Sequence, residues 1–236
     1  MKTGRLIVFE GIDGAGKSSL IQGVAEHLSK QGIASTTITR FMLPELTSLW
    51  GQIVADDLVD PVSAATIAIA DYFVGLERVI KPAIERGVTV LADRYYYSHI
   101  AFFHARGIDL HWLQACFRTA LTPDIVFFID ISIPQALERL RPKNKPDFWE
   151  AGLDYRLNMR IGQAYAYYQQ NPLEKARIEE YFSEHQQRIV TTYKQILPQS
   201  TYWLDGSKTH EALAQECRQI LTEFLKPVMI LSREHT

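Results

Sequence analysis

Apolar residues recur with two different spacings along this chain, and the spacing separates strands from helices. Unbroken apolar runs stand at Arg5 to Phe9, Val88 to Ala92 and Ile125 to Ile129. Each is bounded by glycine, proline or charge, as in strands buried on both faces. A β-branched run at Ile33 to Thr39 and a short run at Thr201 to Leu204 give five strands. Helical spacing fills the gaps. It covers Ser18 to Leu28, closed by Gly32, then Pro44 to Val59, then Pro61 to Arg86, with Pro82 as a kink and Gly87 as the stop. Tyr95 to His104 and Leu110 to Leu121 follow, broken by Gly107, then Pro134 to Leu140. Further helices are predicted over residues 153–169, 173–196 and 208–225. Residues 226–236 are expected to form a loose C-terminal tail. Strands alternating with helices imply an α/β domain, a parallel sheet covered on both faces, over residues 1–225.

Composition narrows the class without naming a function. At 47% hydrophobic and 22% charged, the chain reads as an ordinary globular protein. Its net charge of −2 offers no basic field for nucleic acid or a membrane surface. Cys116 and Cys217 lie far apart in helical stretches and read as reduced, buried thiols. No apolar run reaches the length of a membrane span, and the first strand begins too early for a signal peptide. The cytosol is the expected location.

The strongest chemical signal follows the first strand. Gly11, Gly16, Lys17 and Ser18 fit G-x-x-x-x-G-K-[ST], with a strand before and a helix after, as a phosphate-binding loop requires. Glycines let successive N–H groups turn inward onto a phosphate, and the helix adds its positive end. Lys17 would reach the β- and γ-phosphates of a nucleotide, and the Ser18 hydroxyl would ligate Mg²⁺. Asp93 and Asp130 each end an apolar strand and compete for the second metal-facing position. Asp93 is preferred because Arg94 follows it, and acid and guanidinium together suit metal and phosphate. Arg40 ends the second strand, either in the same crevice or as a solvated loop residue. Arg139, Arg141, Lys143 and Lys145 surround a proline-broken loop, residues 141–152. They form a solvated face, or a lid over residues 139–152 that closes cations over a transferring phosphate. Asn144-Lys145-Pro146-Asp147 matches the N-K-x-D signature of GTPases, but it does not follow an apolar strand.

These motifs together resemble the thymidylate kinase family. Phe9-Glu-Gly-Ile-Asp-Gly-Ala-Gly-Lys-Ser-Ser19 is similar to its phosphate loop, F-E-G-x-[DE]-x-x-G-K-[ST]-[ST]. Asp93-Arg-Tyr-Tyr-Tyr-Ser98, with Ala101-Phe102, is similar to its D-R-[YH]-x-x-S-x-x-A-[YF]. Supporting stretches are Val79-Ile-Lys-Pro-Ala83, Pro123 to Asp130, Glu150 to Asp154, Phe182-x-x-x-Gln186-x-Arg188 and Asp205-Gly-Ser207. The resemblance implies a three-layer nucleoside monophosphate kinase fold with a five-stranded parallel sheet. It implies transfer of the ATP γ-phosphoryl group to dTMP, giving dTDP. The alternatives are a paralogue with a different or relaxed acceptor and a catalytically weak nucleotide-binding protein.

Site roles follow from the same resemblance. Gly11, Gly14, Gly16, Lys17, Ser18 and Ser19 would surround ATP, and Ser18 with Asp93 would hold Mg²⁺. Asp13 would hold the acceptor's sugar, Arg40 and Arg94 its phosphate, with Ser98 beside them. Gly14 stands where some members carry a catalytic arginine, which points to Arg139 or Arg141 instead. Counting back from Val79-Ile-Lys-Pro82 places the family's base-stacking phenylalanine and base-bonding arginine at Ala68 and Tyr72. The family's polar reader after Ala101-Phe102 is Phe103 here. A homodimer is expected, paired through the region of helix 61–86.

Overall fold

The computed structural model describes residues 4–55, 60–143, 146–157 and 159–233. Five strands form one parallel sheet in the order β2-β3-β1-β4-β5. They are β1 (Leu6–Gly11), β2 (Ser35–Thr39), β3 (Thr89–Asp93), β4 (Ile125–Asp130) and β5 (Tyr202–Asp205). β1 lies at the centre between β3 and β4, and all six of its residues are buried. That is why its sequence is a continuous apolar run and not an alternating one.

The connections place the site. α1 (Lys17–Lys30) carries the chain from β1 towards β2, on one side of the sheet. From β2 the chain returns through α2 (Pro44–Ala55), α3 (Pro61–Gly75) and α4 (Lys81–Glu85) to β3. α5 (Tyr96–Ala105) and α6 (Leu110–Cys116) then carry it past β1 to β4. Right-handed crossovers put α1 on one face and these returning helices on the other. The loops leaving β1 and β3 therefore diverge, opening a crevice at the carboxyl ends of those two strands.

After β4 come α7 (Ile133–Leu140), a 3₁₀ turn at Arg141–Lys143, α8 (Leu153–Arg156), α9 (Ile161–Gln170), α10 (Pro172–Ala176) and α11 (Ile178–Ile196). α12 (His210–Arg233) closes the fold against α1. Residues 148–153 do not stand out in solvent. Phe148, Ala151 and Leu153 share a second small core with Leu137, Leu140, Ala164 and Phe182.

Several element boundaries differ from those expected. The stretch 61–86 is helical throughout, but Leu76–Ile80 makes a π turn just before Pro82. Proline has no N–H and crowds the carbonyl four residues back, and a wider turn relieves both. α6 stops at Cys116 because Phe117 turns inward to stack on Tyr96 and His99. The stretch 173–196 divides because the Asn171 side chain caps a short helix at Leu173 N, 3.1 Å away, before α11 begins. α12 runs to Arg233, past the tail boundary expected at 225; no glycine lies there to stop it. Residues 56–59, the end of the helix expected to Val59, lie outside the described residues.

Candidate active site

The loop after β1 folds as its glycines dictate. Gly14 and Gly16 have φ values of 82° and 94°, a region that side chains disfavour. Space closes position 14 further. A Cβ there would lie 2.6 Å from the carbonyl oxygen of Ala136 on α7, so no arginine fits at this point. α1 begins at Lys17, whose buried side chain curls back onto its own loop. Its Nζ donates to the carbonyls of Gly11 (3.1 Å) and Ile12 (2.9 Å). Burial, then the charge of Arg94, pull its pKa down to about 8 against the opposing pull of Asp13, Asp93 and Glu10.

Across the crevice, β3 delivers Asp93 and Arg94. The Ser18 hydroxyl donates to Asp93 Oδ2 at 2.6 Å. Asp130, the rival acid, is exposed at the end of β4 and does not line the cleft. Arg94 donates to Gly11 O (2.9 Å), Ser98 Oγ (3.3 Å) and Tyr193 Oη (3.4 Å), and pairs with Asp13. Burial opposes its charge, but Asp13, Tyr193, Glu10 and Asp93 outweigh that and hold its pKa above the usual arginine value.

Three residues that the sequence reading gave no role hold this arrangement. Glu10, fully buried in β1, accepts from the backbone N–H of Tyr95 (2.9 Å) and Ser98 (3.3 Å) and from the hydroxyls of Ser98 (2.5 Å) and Tyr193 (2.8 Å). It fixes the turn that carries Arg94. Burial raises its carboxyl pKa against those bonds and the Arg94 charge. Tyr193, fully buried on α11, ties that helix to the same network. Asp71, buried in α3, accepts from the backbone N–H of Met42 (2.8 Å) and Leu43 (2.9 Å). It pins the loop bearing Arg40 and Phe41. An acid inside an otherwise apolar helix was the available signal for Asp71, and the Glu of F-E-G was the signal for Glu10.

A cleft of about 900 Å³ runs from Ser207–His210 past the phosphate loop to Arg40. Asp13, Gly14, Gly16, Lys17, Ser18, Ser19, Asp93, Arg94 and Arg139 line it, and Gly11 lies just behind, bonded to Lys17 and Arg94. Arg40 and Phe41 also line a second cavity, of about 190 Å³. Its walls include Ala64, His99, Phe102, Phe103 and Arg106. The Arg40 guanidinium lies 4.7 Å from the centre of the Phe102 ring. Burial, then Arg94, lower its pKa to about 10.

The remaining expected residues divide. Arg139 Nη1 donates to Ala15 O (3.2 Å) and its Nη2 to Gly206 O (2.7 Å), bridging both sides of the cleft. Arg141 does not enter; it forms a two-pronged ion pair with Glu179 at the surface. Lys143 lines the cleft, whereas Asn144 and Lys145 lie outside the described residues. Asp147 caps a turn, accepting from Trp149 N (3.0 Å) and Glu150 N (3.1 Å). Ser98 is buried behind Arg94 and lines neither space, because Glu10 takes its hydroxyl.

Phe103 lines the smaller cavity, but Ala68 and Tyr72 do not. Both are core residues. Tyr72 is boxed by Phe73, Tyr95, Tyr96 and Phe117, and its hydroxyl bonds that of Tyr95 at 2.8 Å. Ala64, one turn before Ala68, supplies the wall instead.

The sequence is similar to those of known proteins. The family model for thymidylate kinase matches residues 9–189. A probable thymidylate kinase of Thermococcus kodakarensis is 36% identical over 146 residues, 58% of this chain and 71% of the relative. The thymidylate kinase of Akkermansia muciniphila is 35% identical over 159 residues, 64% of this chain and 75% of the relative. Probable thymidylate kinase 2 of Saccharolobus solfataricus is 27% identical over 226 residues, 94% of this chain and 97% of the relative. The family match includes the end of β1, the phosphate loop, β3 and the Asp93-Arg94 turn. An ATP-dependent nucleoside monophosphate kinase is therefore the enzyme class of this protein, and the chain belongs to the thymidylate kinase family.

Proposed function

We propose that the protein transfers the γ-phosphoryl group of ATP to dTMP, giving dTDP and ADP. One observation carries the reading. Asp13, Arg40 and Arg94 converge where the phosphate-loop cleft meets a small aromatic cavity. A monophosphate at that junction would place its base among Phe41, Phe102 and Phe103. Relatives named as thymidylate kinases favour thymine as that base. The altered residues at Ala68 and Tyr72 do not argue for another acceptor, because neither borders the cavity.

An oxygen of the acceptor phosphate attacks the γ-phosphorus as the bond to ADP breaks. A phosphomonoester is mostly dianionic at pH 7, so it needs no strong base; it needs positioning and charge neutralisation. Lys17 would leave its two carbonyl partners for the β- and γ-phosphates. Arg94, held from behind by Gly11, Ser98 and Tyr193, would orient the acceptor phosphate. Arg139, on α7, takes the place of a phosphate-loop arginine that Gly14 has no room for. Ser18 and Asp93 offer a hydroxyl and a carboxylate together, hard oxygen donors that fit Mg²⁺. The ion, when bound, supplies further charge neutralisation on the phosphates. We also propose a homodimer. α3 leaves Ile67, Ile69 and Phe73 only half-buried and Ala70 and Val74 exposed, an apolar surface on a helix whose other face is core.

The test is ADP release, measured across all nucleoside and deoxynucleoside monophosphates. dTMP is expected to give the highest kcat/KM. A higher value for any other monophosphate overturns the acceptor assignment.

A further inference from the structure

Arg40 and Phe41 line both the phosphate-loop cleft and the small aromatic cavity. The loop from β2 to α2 therefore stands at the junction of the two spaces. It is short, Arg40 to Leu43, and has little structure of its own. Within it, the Thr39 hydroxyl donates to Phe41 O at 3.0 Å.

Its second half is seated on α3. Asp71 is 0% exposed, yet it holds a carboxylate inside an otherwise apolar helix. Oδ2 accepts from Met42 N at 2.8 Å and Oδ1 from Leu43 N at 2.9 Å. Both partners are backbone N–H groups, not cations. α2 begins at Pro44, which has no N–H. The carboxylate takes the N–H groups just before it, at the positive end of the α2 dipole. These donors replace the water that a buried acid would otherwise lose.

Gly75, one turn on and on the same face of α3, completes the seat. A Cβ there would lie 2.5 Å from Met42 Cε and 2.8 Å from its Sδ. The Met42 side chain therefore lies against bare helix backbone. Gly75 has φ −64° and ψ −37°, which any residue adopts, so glycine serves here for space and not for conformation. Neither Asp71 nor Gly75 lines the cleft or the cavity.

We propose that Asp71 and Gly75 are positioning residues for the acceptor, a dock on α3 that seats Met42 and Leu43 and so sets where the Arg40 guanidinium and the Phe41 ring stand. Acceptor affinity is thus governed from a helix face that never touches the acceptor. A clamp misplaced by about 1 Å can cost about 100-fold. The inference rests on the acceptor reading under Proposed function.

The experiment measures KM for dTMP and for ATP, with kcat, in wild type, Asp71→Ala, Asp71→Asn and Gly75→Ala. Asp71→Ala loses both seats and should raise KM for dTMP by about 10- to 100-fold, with KM for ATP within about twofold. Asp71→Asn keeps one acceptor oxygen and should fall between it and wild type. Gly75→Ala pushes Met42 off its seat and should raise KM for dTMP in the same selective way. A purely structural role predicts another pattern: a smaller folded fraction lowers kcat and leaves both KM values alone. An unchanged KM for dTMP in folded Asp71→Ala overturns the proposal, and so does an equal rise in both KM values. If Asp71→Ala does not fold, Gly75→Ala decides, since alanine suits that helical backbone, and an unchanged KM for dTMP there overturns the proposal. If another monophosphate proves the better substrate, the acceptor assignment falls, and the same comparison run with that monophosphate decides the role of Asp71.

Discussion

Arg94 and Asp13 are paired across the mouth of the cleft, where β1 and β3 end. Arg94 is the one non-glycine with positive φ among the described residues, at 75°. Such a backbone persists only where its surroundings hold it, and here Glu10, Ser98, Tyr193 and Asp13 do so. Burial opposes ionisation of Asp13, but Arg94, Lys17 and Arg40 outweigh it and hold its pKa down to about 2. The folded value lies below the unfolded one, so this stabilisation is present above about pH 4 and is lost as pH falls towards 2. Asp13→Asn should therefore lower stability at pH 7, by up to about 2 kcal/mol, and flatten its dependence on pH between 4 and 2. Denaturant melts at several pH values measure both. An unchanged acid slope would show that Asp13 is not ionised by its neighbours as described.

Lys17 makes a second test. Its pKa of about 8 means that the free enzyme loses the ammonium as pH rises through that value. Nucleotide phosphate needs the charged form. ATP affinity should fall above pH 8, and in Lys17→Met that step should vanish. Turnover in the variant should drop by about 10³-fold, while the fold survives because glycines shape the loop. Calorimetric ATP titrations at pH 7 and pH 9, with circular dichroism of the variant, give the answer.

Two basic residues of similar sequence context separate here. Arg139 bridges Ala15 and Gly206 inside the cleft, whereas Arg141 pairs with Glu179 outside it. Arg139→Ala should lower kcat by about 100-fold, a few kcal/mol of transition-state stabilisation, with a smaller change in the KM for ATP. Arg141→Ala should leave kcat within about twofold, since exposed ion pairs contribute little. The reverse ranking would move the catalytic cation to Arg141.

The apolar surface of α3 predicts a dimer in solution. Light scattering at micromolar concentration should give twice the chain mass, and Val74→Glu should return it to one. A monomeric wild type would count against pairing through this helix.

Local chemistry was legible in the sequence; three-dimensional closure was less so. The phosphate loop, the five strands and the Asp93-Arg94 turn follow from short-range pattern, because glycine spacing and apolar runs act over a few residues. Arg139 and Arg141 could not be separated, since two neighbouring helix-end residues point in different directions and only α11 decides which is captured. Counting along a helix puts Ala68 and Tyr72 in the base pocket, yet both are core residues. Their burial depends on Tyr95, Tyr96 and Phe117, which arrive from later in the chain. Glu10, Asp71 and Tyr193 act through bonds spanning tens to hundreds of residues, which no local pattern encodes.

The last prediction concerns Arg106 and Asp154, which meet in a buried two-pronged ion pair with side chains 3% and 9% exposed. The pair joins the end of α5 to the first turn of α8. Arg106 Nη1 extends it to His185 Nε2 on α11 at 3.1 Å. Burial and the Arg106 charge hold His185 neutral, with its pKa pulled down to about 2, so that nitrogen accepts and Nδ1 faces the Tyr155 hydroxyl at 3.3 Å. The same guanidinium lies 3.3 Å from the centre of the Phe102 ring, which walls the acceptor cavity. Removing Asp154 strands a buried cation. Asp154→Asn should cost about 3–5 kcal/mol of stability, the penalty of an uncompensated charge and not the net worth of the pair. The double change Arg106→Met with Asp154→Leu should recover much of that stability, because two charges no longer need burial. It should not recover catalysis. With the guanidinium gone, Phe102 loses the group that fixes its ring, and KM for dTMP should stay raised while KM for ATP is unchanged. Denaturant melts and steady-state kinetics on both variants separate the two effects. Full kinetic recovery in the double variant would show that the pair serves stability alone.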